Sequence, residues 1–153
     1  MTMRAASALL MAIGMSAVAV ADPTMKPSVG VVRTKTYFET SAFKDCKANA
    51  TCQIYFSKIS GGAVIFRRVT CVATHQTPII LSAFGLAKDK SNNSLEKFAT
   101  LAIPEASSGG LRYSQFNQEV FIRLENGDLP SASVIAPDSS QTSLSCIATG
   151  TPD

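Results

Sequence analysis

The chain of 153 residues carries 14 Lys and Arg against 11 Asp and Glu, a formal charge of +3, with 46% hydrophobic residues, four Cys, one His and no Trp. The cationic side chains are scattered from Arg4 to Arg123, which excludes the clustered basic stripe of a nucleic-acid-binding surface. The length suits one domain around one core, and a lone imidazole confines histidine chemistry to one position.

Residues 1–21 have the layout of a secretory signal peptide: Arg4 in a short leading region, an apolar region from Ala5 to Val20, and small residues at Ala19 and Ala21. A spanning helix needs about 20 strongly apolar residues. This stretch is short and Ala-rich, so cleavage after Ala21 is expected, with no membrane span in the mature chain. The Ala-rich style predicts bacterial export, to the periplasm or the medium. Residues 22–28 read as a flexible polar lead-in, and 29–153 as a single domain.

Val29, Val31 and Val32, then Tyr37 and Phe38, predict a first strand or two short ones, and Ser41 to Cys52 a loop. Cys52, Ile54 and Phe56 alternate with Gln53, Tyr55 and Ser57 as a half-buried strand, and Ser60-Gly61-Gly62 reads as a hairpin turn into Ala63. From Ala63 to Leu86 a polar turn at His75 to Pro78 joins two apolar runs. Strict alternation puts Ile65, Val69, Cys71 and Ala73 on one face of the first run, and Val64, Phe66, Arg68, Thr70 and Val72 on the other. The β-branched residues from Ile79 favour a strand for the second.

Lys88 to Ser94 is a charged, Asn-rich loop. Ala99, Leu101 and Ile103 alternate until Pro104 stops them, and Ser107 to Gly110 reads as a flexible connection. Val120, Ile122 and Leu124 alternate with Glu119, Phe121, Arg123 and Glu125, and Asn126-Gly127 supplies a strong hairpin signal. Val134 and Ile135, then Leu144, Cys146 and Ala148, complete the pattern. About eight or nine short strands without a sustained helical period predict an all-β chain: an antiparallel β-sandwich, immunoglobulin-like or jelly-roll-like.

An even number of cysteines in an exported chain implies disulfides. Five residues separate Cys46 from Cys52, an easy local loop, which leaves Cys71 to pair with Cys146. The cysteines lack C-x-x-C spacing, so neither a metal nor another cofactor is expected.

Candidate chemistry is sparse. A hydrolase would have to use His75 or the carboxylates Glu119, Glu125 and Asp128. His75 reads as an exposed turn residue, and the acids as a solvated face. Tyr55, Phe66, Arg68, Tyr113 and Phe121 are the candidate ligand-binding residues, because aromatic rings beside arginines can grip a sugar or a protein. The expected function is therefore a non-catalytic binding module for an envelope or host glycan or protein. A small secreted hydrolase is the alternative, as is an exported inhibitor that presents the Cys46–Cys52 loop, with Lys47 and Asn49 at its tip, to a foreign hydrolase. The sequons at Asn49 and Asn92 are expected to carry no meaning in a bacterial export route, and in a eukaryote would only mark exposed loops.

Overall fold

The computed structural model describes residues 30–47, 50–88, 90, 95–108, 111–137 and 141–153. Within them the chain forms ten strands: β1 (Gly30–Arg33), β2 (Phe38–Cys46), β3 (Thr51–Tyr55), β4 (Val64–His75), β5 (Leu81–Ala87), β6 (Leu95–Thr100), β7 (Glu105–Ser108), β8 (Leu111–Leu124), β9 (Leu129–Ile135) and β10 (Thr142–Pro152). They make the expected antiparallel β-sandwich. One sheet has six strands in the order β1-β2-β10-β4-β8-β7, the other four in the order β3-β9-β5-β6.

Alternating side chains close the space between the sheets. Val69, Cys71 and Ala73 of β4, Phe116 and Val120 of β8, and Leu144, Cys146 and Ala148 of β10 face inward against Cys52 and Ile54 of β3, Phe84 of β5, and Ala132 and Val134 of β9. Phe66 of β4 is fully buried and joins the two layers through edge contacts, 5.7 Å from Phe38 and 5.2 Å from Phe84, between ring centroids. Such ring pairs add about 0.5–1.5 kcal/mol each beyond the area they bury.

β4 does not keep one phase. Val64 and Phe66 are buried, Arg67 and Arg68 are exposed, and Val69, Cys71, Ala73 and His75 are buried again. Against β10, Phe66 sits opposite Gly150 and Arg68 opposite Thr149, so Arg67 is an extra residue with no partner there. This bulge corrects the expectation that Ile65 shares a face with Val69: one inserted residue exchanges the faces of a period-two strand. Gly150 makes room for it, since a Cβ there would lie 2.4 Å from the Ile65 carbonyl oxygen and 2.9 Å from the Phe66 Cα. Both obstacles are backbone, so Gly150→Ala is expected to lower stability by about 1–3 kcal/mol. Urea unfolding of the variant checks this, and an unchanged midpoint would mean that the bulge absorbs a methyl group freely.

Both expected hairpins are corrected. β3 pairs with β9, while β4 pairs with β10 and β8, so Ser60 to Gly62 carries the chain from one sheet to the other. Arg33 holds this crossover by donating to the carbonyls of Ser60 at 2.8 Å and Gly62 at 3.4 Å. Asn126-Gly127 is a tight turn, with Gly127 at φ +94° and the Glu125 N–H bonded to the Asp128 carboxylate at 2.8 Å. Its strands nevertheless belong to different sheets, because β8 already lies between β4 and β7, and β9 between β3 and β5. Turn chemistry sets local dihedrals; it does not choose the sheet.

Two strands extend beyond their expected limits. Ser41 to Cys46 belongs to β2 and pairs with β10 instead of forming a loop. Leu111 to Gln118 belongs to β8 and pairs with β4, and Ser107 and Ser108 lie in β7. Asn49, Asn92 and the loop from Ser91 to Ser94 lie outside the described residues.

Cys46 of β2 is bonded to Cys52 of β3, which ties the sheets together, and Cys71 of β4 is bonded to Cys146, its directly opposite neighbour on β10. Two disulfides in one small fold point to an oxidising environment, outside the reducing cytosol. Among the described residues no helix is long and apolar enough to cross a membrane.

Candidate functional site

The five candidate ligand-binding residues do not converge. Phe66 is withdrawn into the core with 0% exposure, which corrects its assignment to an outer face. Tyr55 is half-buried on β3, in the opposite sheet, with its hydroxyl donating to the Lys90 carbonyl at 3.2 Å. Arg68, Tyr113 and Phe121 do share a surface, the outward face of the six-stranded sheet. Tyr113 and Phe121 are nonetheless eight residues apart on β8, roughly 26 Å along a strand.

This outward face is broad. β2, β10, β4 and β8 lie side by side, and their register builds rows across it: Ser41, Ile147, Thr70 and Asn117; Phe43, Ser145, Val72 and Gln115; Asp45, Ser143, Thr74 and Tyr113. Only Asp45 in these rows is charged, and its carboxylate accepts a 2.6 Å bond from Ser143. Four strands span roughly 14 Å. Val72, Ile147 and Tyr113 are 44%, 44% and 42% exposed, so apolar surface is interleaved with hydroxyl and amide groups. On the four-stranded sheet, by contrast, Gln53, Ala83, Ser131 and Ser133 of the outward rows are buried.

A more charged fringe begins where β4 bulges. Arg68 and Glu119 approach to 3.5 Å, both well exposed, a pair worth at most about 0.2–1 kcal/mol. The Arg67 guanidinium lies 5.2 Å from the ring centre of Phe121, at 72% the most exposed large apolar side chain among the described residues. At the end of β8, Arg123 bonds Asp153 at 2.5 Å and also contacts Glu125. The hydrogen bond to Asp153, aided by the Glu125 charge, holds the Arg123 guanidinium above its ordinary pKa.

The carboxylate group offered by the sequence is thereby dispersed. Glu119 pairs with Arg68, Glu125 with Arg123, and Asp128 accepts from the Glu125 backbone. Glu119 and Glu125 are separated by roughly 20 Å of strand, whereas glycosidase carboxyls stand about 5–9.5 Å apart.

His75 is not the exposed turn residue expected. It ends β4 with 1% exposure, because the strand runs on through residue 75 in the same phase that buries Val69, Cys71 and Ala73. Its Nδ1 lies 2.5 Å from the Thr77 carbonyl and its Nε2 2.8 Å from Ser114 Oγ. A carbonyl only accepts, so Nδ1 carries the proton and Nε2 accepts from the serine hydroxyl. That is the tautomer a Ser-His pair needs. Ser114 has 0% exposure, however, and a nucleophile sealed in the core has no path to a substrate. The pair ties β4 to β8. Ser114 carried no signal in the sequence, being one serine in a polar run.

Compared with protein families, characterised proteins and solved structures, the chain matches none. Its chemistry must be read from its own residues. Among those described, no group of His, Cys, Asp and Glu is arranged to hold a metal ion.

Proposed function

We propose that the protein is an exported, non-catalytic binding module that takes a glycan on the outward face of its six-stranded sheet. The signal-like residues 1–21 and the two disulfides support a secreted or periplasmic location. The observation that carries the binding role is the three-row platform across β2, β10, β4 and β8, nearly free of charge and set with hydroxyl, amide, aliphatic and tyrosyl groups. Sugars present the same mixture of hydroxyls and weakly apolar faces, and sites of this kind combine apolar contact with placed polar groups.

A protein partner is the second reading. It is favoured by one spot, Phe121 under Arg67, since exposed aromatic and arginine side chains dominate protein hot spots. The two readings separate on different variants. With the oxidised protein on an array of envelope and host glycans, Val72→Glu and Ile147→Glu are expected to weaken binding by about tenfold or more, some 1.4 kcal/mol, with the unfolding midpoint retained. A silent array with an envelope or host protein captured through Phe121, and lost in Phe121→Ala, would replace the glycan by a protein. Silence in both would remove the binding role.

A further inference from the structure

The outward platform does not end flat. Its third row, Asp45, Ser143, Thr74 and Tyr113, is followed in the same phase by Gln141, Gln76 and Leu111, because Thr142, His75 and Arg112 stand in register between the two. β4 ends at His75, β10 begins at Thr142 and β8 at Leu111, so the ladder joining them stops where these side chains lie. A pocket of about 230 Å³ opens there, lined by Thr74, His75, Gln76, Leu111, Gln141 and Ser143. Thr74 and Ser143 belong to the platform as well, which makes the two surfaces continuous.

The six lining residues include no lysine, arginine, aspartate or glutamate. His75 is committed elsewhere, since the Thr77 carbonyl and the Ser114 hydroxyl occupy its two ring nitrogens; it shapes the wall without reaching a ligand. Ser143 donates its hydroxyl proton to Asp45, which leaves its oxygen as an acceptor. Among the described residues the Gln76 and Gln141 amides are bonded to no other side chain, and each has two donors and an acceptor. With the Thr74 hydroxyl, donors and acceptors are both on offer beside the apolar wall of Leu111. A phosphate or carboxylate only accepts and calls for donors or cations, and an ammonium group only donates. A sugar hydroxyl does both, so a ring carrying several of them matches this lining.

We propose that this pocket takes the terminal ring of the glycan, an uncharged sugar, so that the module reads the end of a chain while the platform supports the rings behind it. The site rests on the glycan reading of the platform and adds to it the position and charge of the sugar recognised. Its volume of about 230 Å³ is below the roughly 300–1,000 Å³ of pockets for drug-sized ligands, which leaves room for one ring and not for two. A flat platform accepts the middle of a chain as readily as its end. A hollow for a single ring favours the end.

The test is titration of the oxidised, isotope-labelled protein with the methyl glycosides of glucose, galactose, mannose and N-acetylglucosamine, followed by amide NMR. Glucuronate and glucosamine, at matched ionic strength, supply charged forms of the same ring. Saturable shifts at Thr74, Gln76, Leu111 and Ser143 are expected with at least one neutral sugar, at least about tenfold tighter than with either charged one. Leu111→Trp, which fills the hollow with a larger ring, should lose at least about tenfold in affinity. Should that variant fail to fold, Gln76→Leu at an exposed position is expected to lose about fivefold. Shifts confined to Val72 and Ile147 would overturn the pocket and leave the platform standing. Equal binding of the charged sugars, or no shift with any neutral one, would also overturn the pocket, while the platform is judged separately by the array and its Val72→Glu and Ile147→Glu variants.

Discussion

Replacing Cys71 and Cys146 together by Ala is expected to lower the unfolding free energy by about 4–5 kcal/mol, and replacing Cys46 and Cys52 by about 2. The sequence separations are 75 and 6 residues, and in the chain-entropy account the closed loop sets how much freedom the unfolded chain is denied. The long bridge also lies in the core, with Cys71 and Cys146 only 2% and 1% exposed, so its removal leaves a void among Phe116, Leu144 and their neighbours. Urea unfolding of the two double variants beside the intact protein measures both losses. Equal losses would show that loop length is not what makes the long bridge matter.

Phe66→Ala is expected to cost about 3–5 kcal/mol, the range for deleting a buried aromatic ring. Phe66 has no exposed surface and touches Phe38 from its own sheet and Phe84 from the other, so its loss opens a cavity between the layers. Phe121→Ala, at 72% exposure, should stay within about 0.5 kcal/mol. Thermal or urea denaturation distinguishes the two, and a tolerated Phe66→Ala would contradict the packing described. The contrast matters for function: any binding defect of a Phe66 variant reports unfolding, whereas one of a Phe121 variant reports the surface.

Both rings belong to alternating strands, and why one is core and the other surface shows how far the sequence could be read. From Glu119 to Leu124 strict alternation is kept, and Phe121 faces outward as expected. In β4 the alternation breaks at Arg67, a charged residue that interrupts the apolar row of Ile65, Val69, Cys71 and Ala73 but does not by itself say that a residue is inserted. Everything before it, Phe66 included, therefore exchanges faces with everything after it. His75 has a different cause: β4 runs two residues past Ala73 in the phase of Cys71, so the position taken for a turn closes the buried row. The first half of β8 was illegible for another reason: its inward positions include Ser114 and Gln118, polar residues that give no hydrophobic contrast. They are satisfied by His75, and by the Ala102 N–H and Thr100 carbonyl. The cysteine pairs were legible because five residues make a short, easily closed loop, and the all-β class because local alternation recurs throughout. The platform was not, because it depends on which strands lie side by side, and the pocket at its end joins three strand ends distant in sequence.

The placement of β10 between β2 and β4 also sets an order of events. Neither neighbour can complete its pairing in the six-stranded sheet until residues 142–152 are present, and non-local pairing of this kind makes for slow folding. During that interval the thiol of Cys71 has only Cys46 and Cys52 to meet. Premature oxidation would trap a wrong link that must be exchanged before the last strand can enter. The arrival of β10 thus acts as a timing step, after which the correct pair stands face to face.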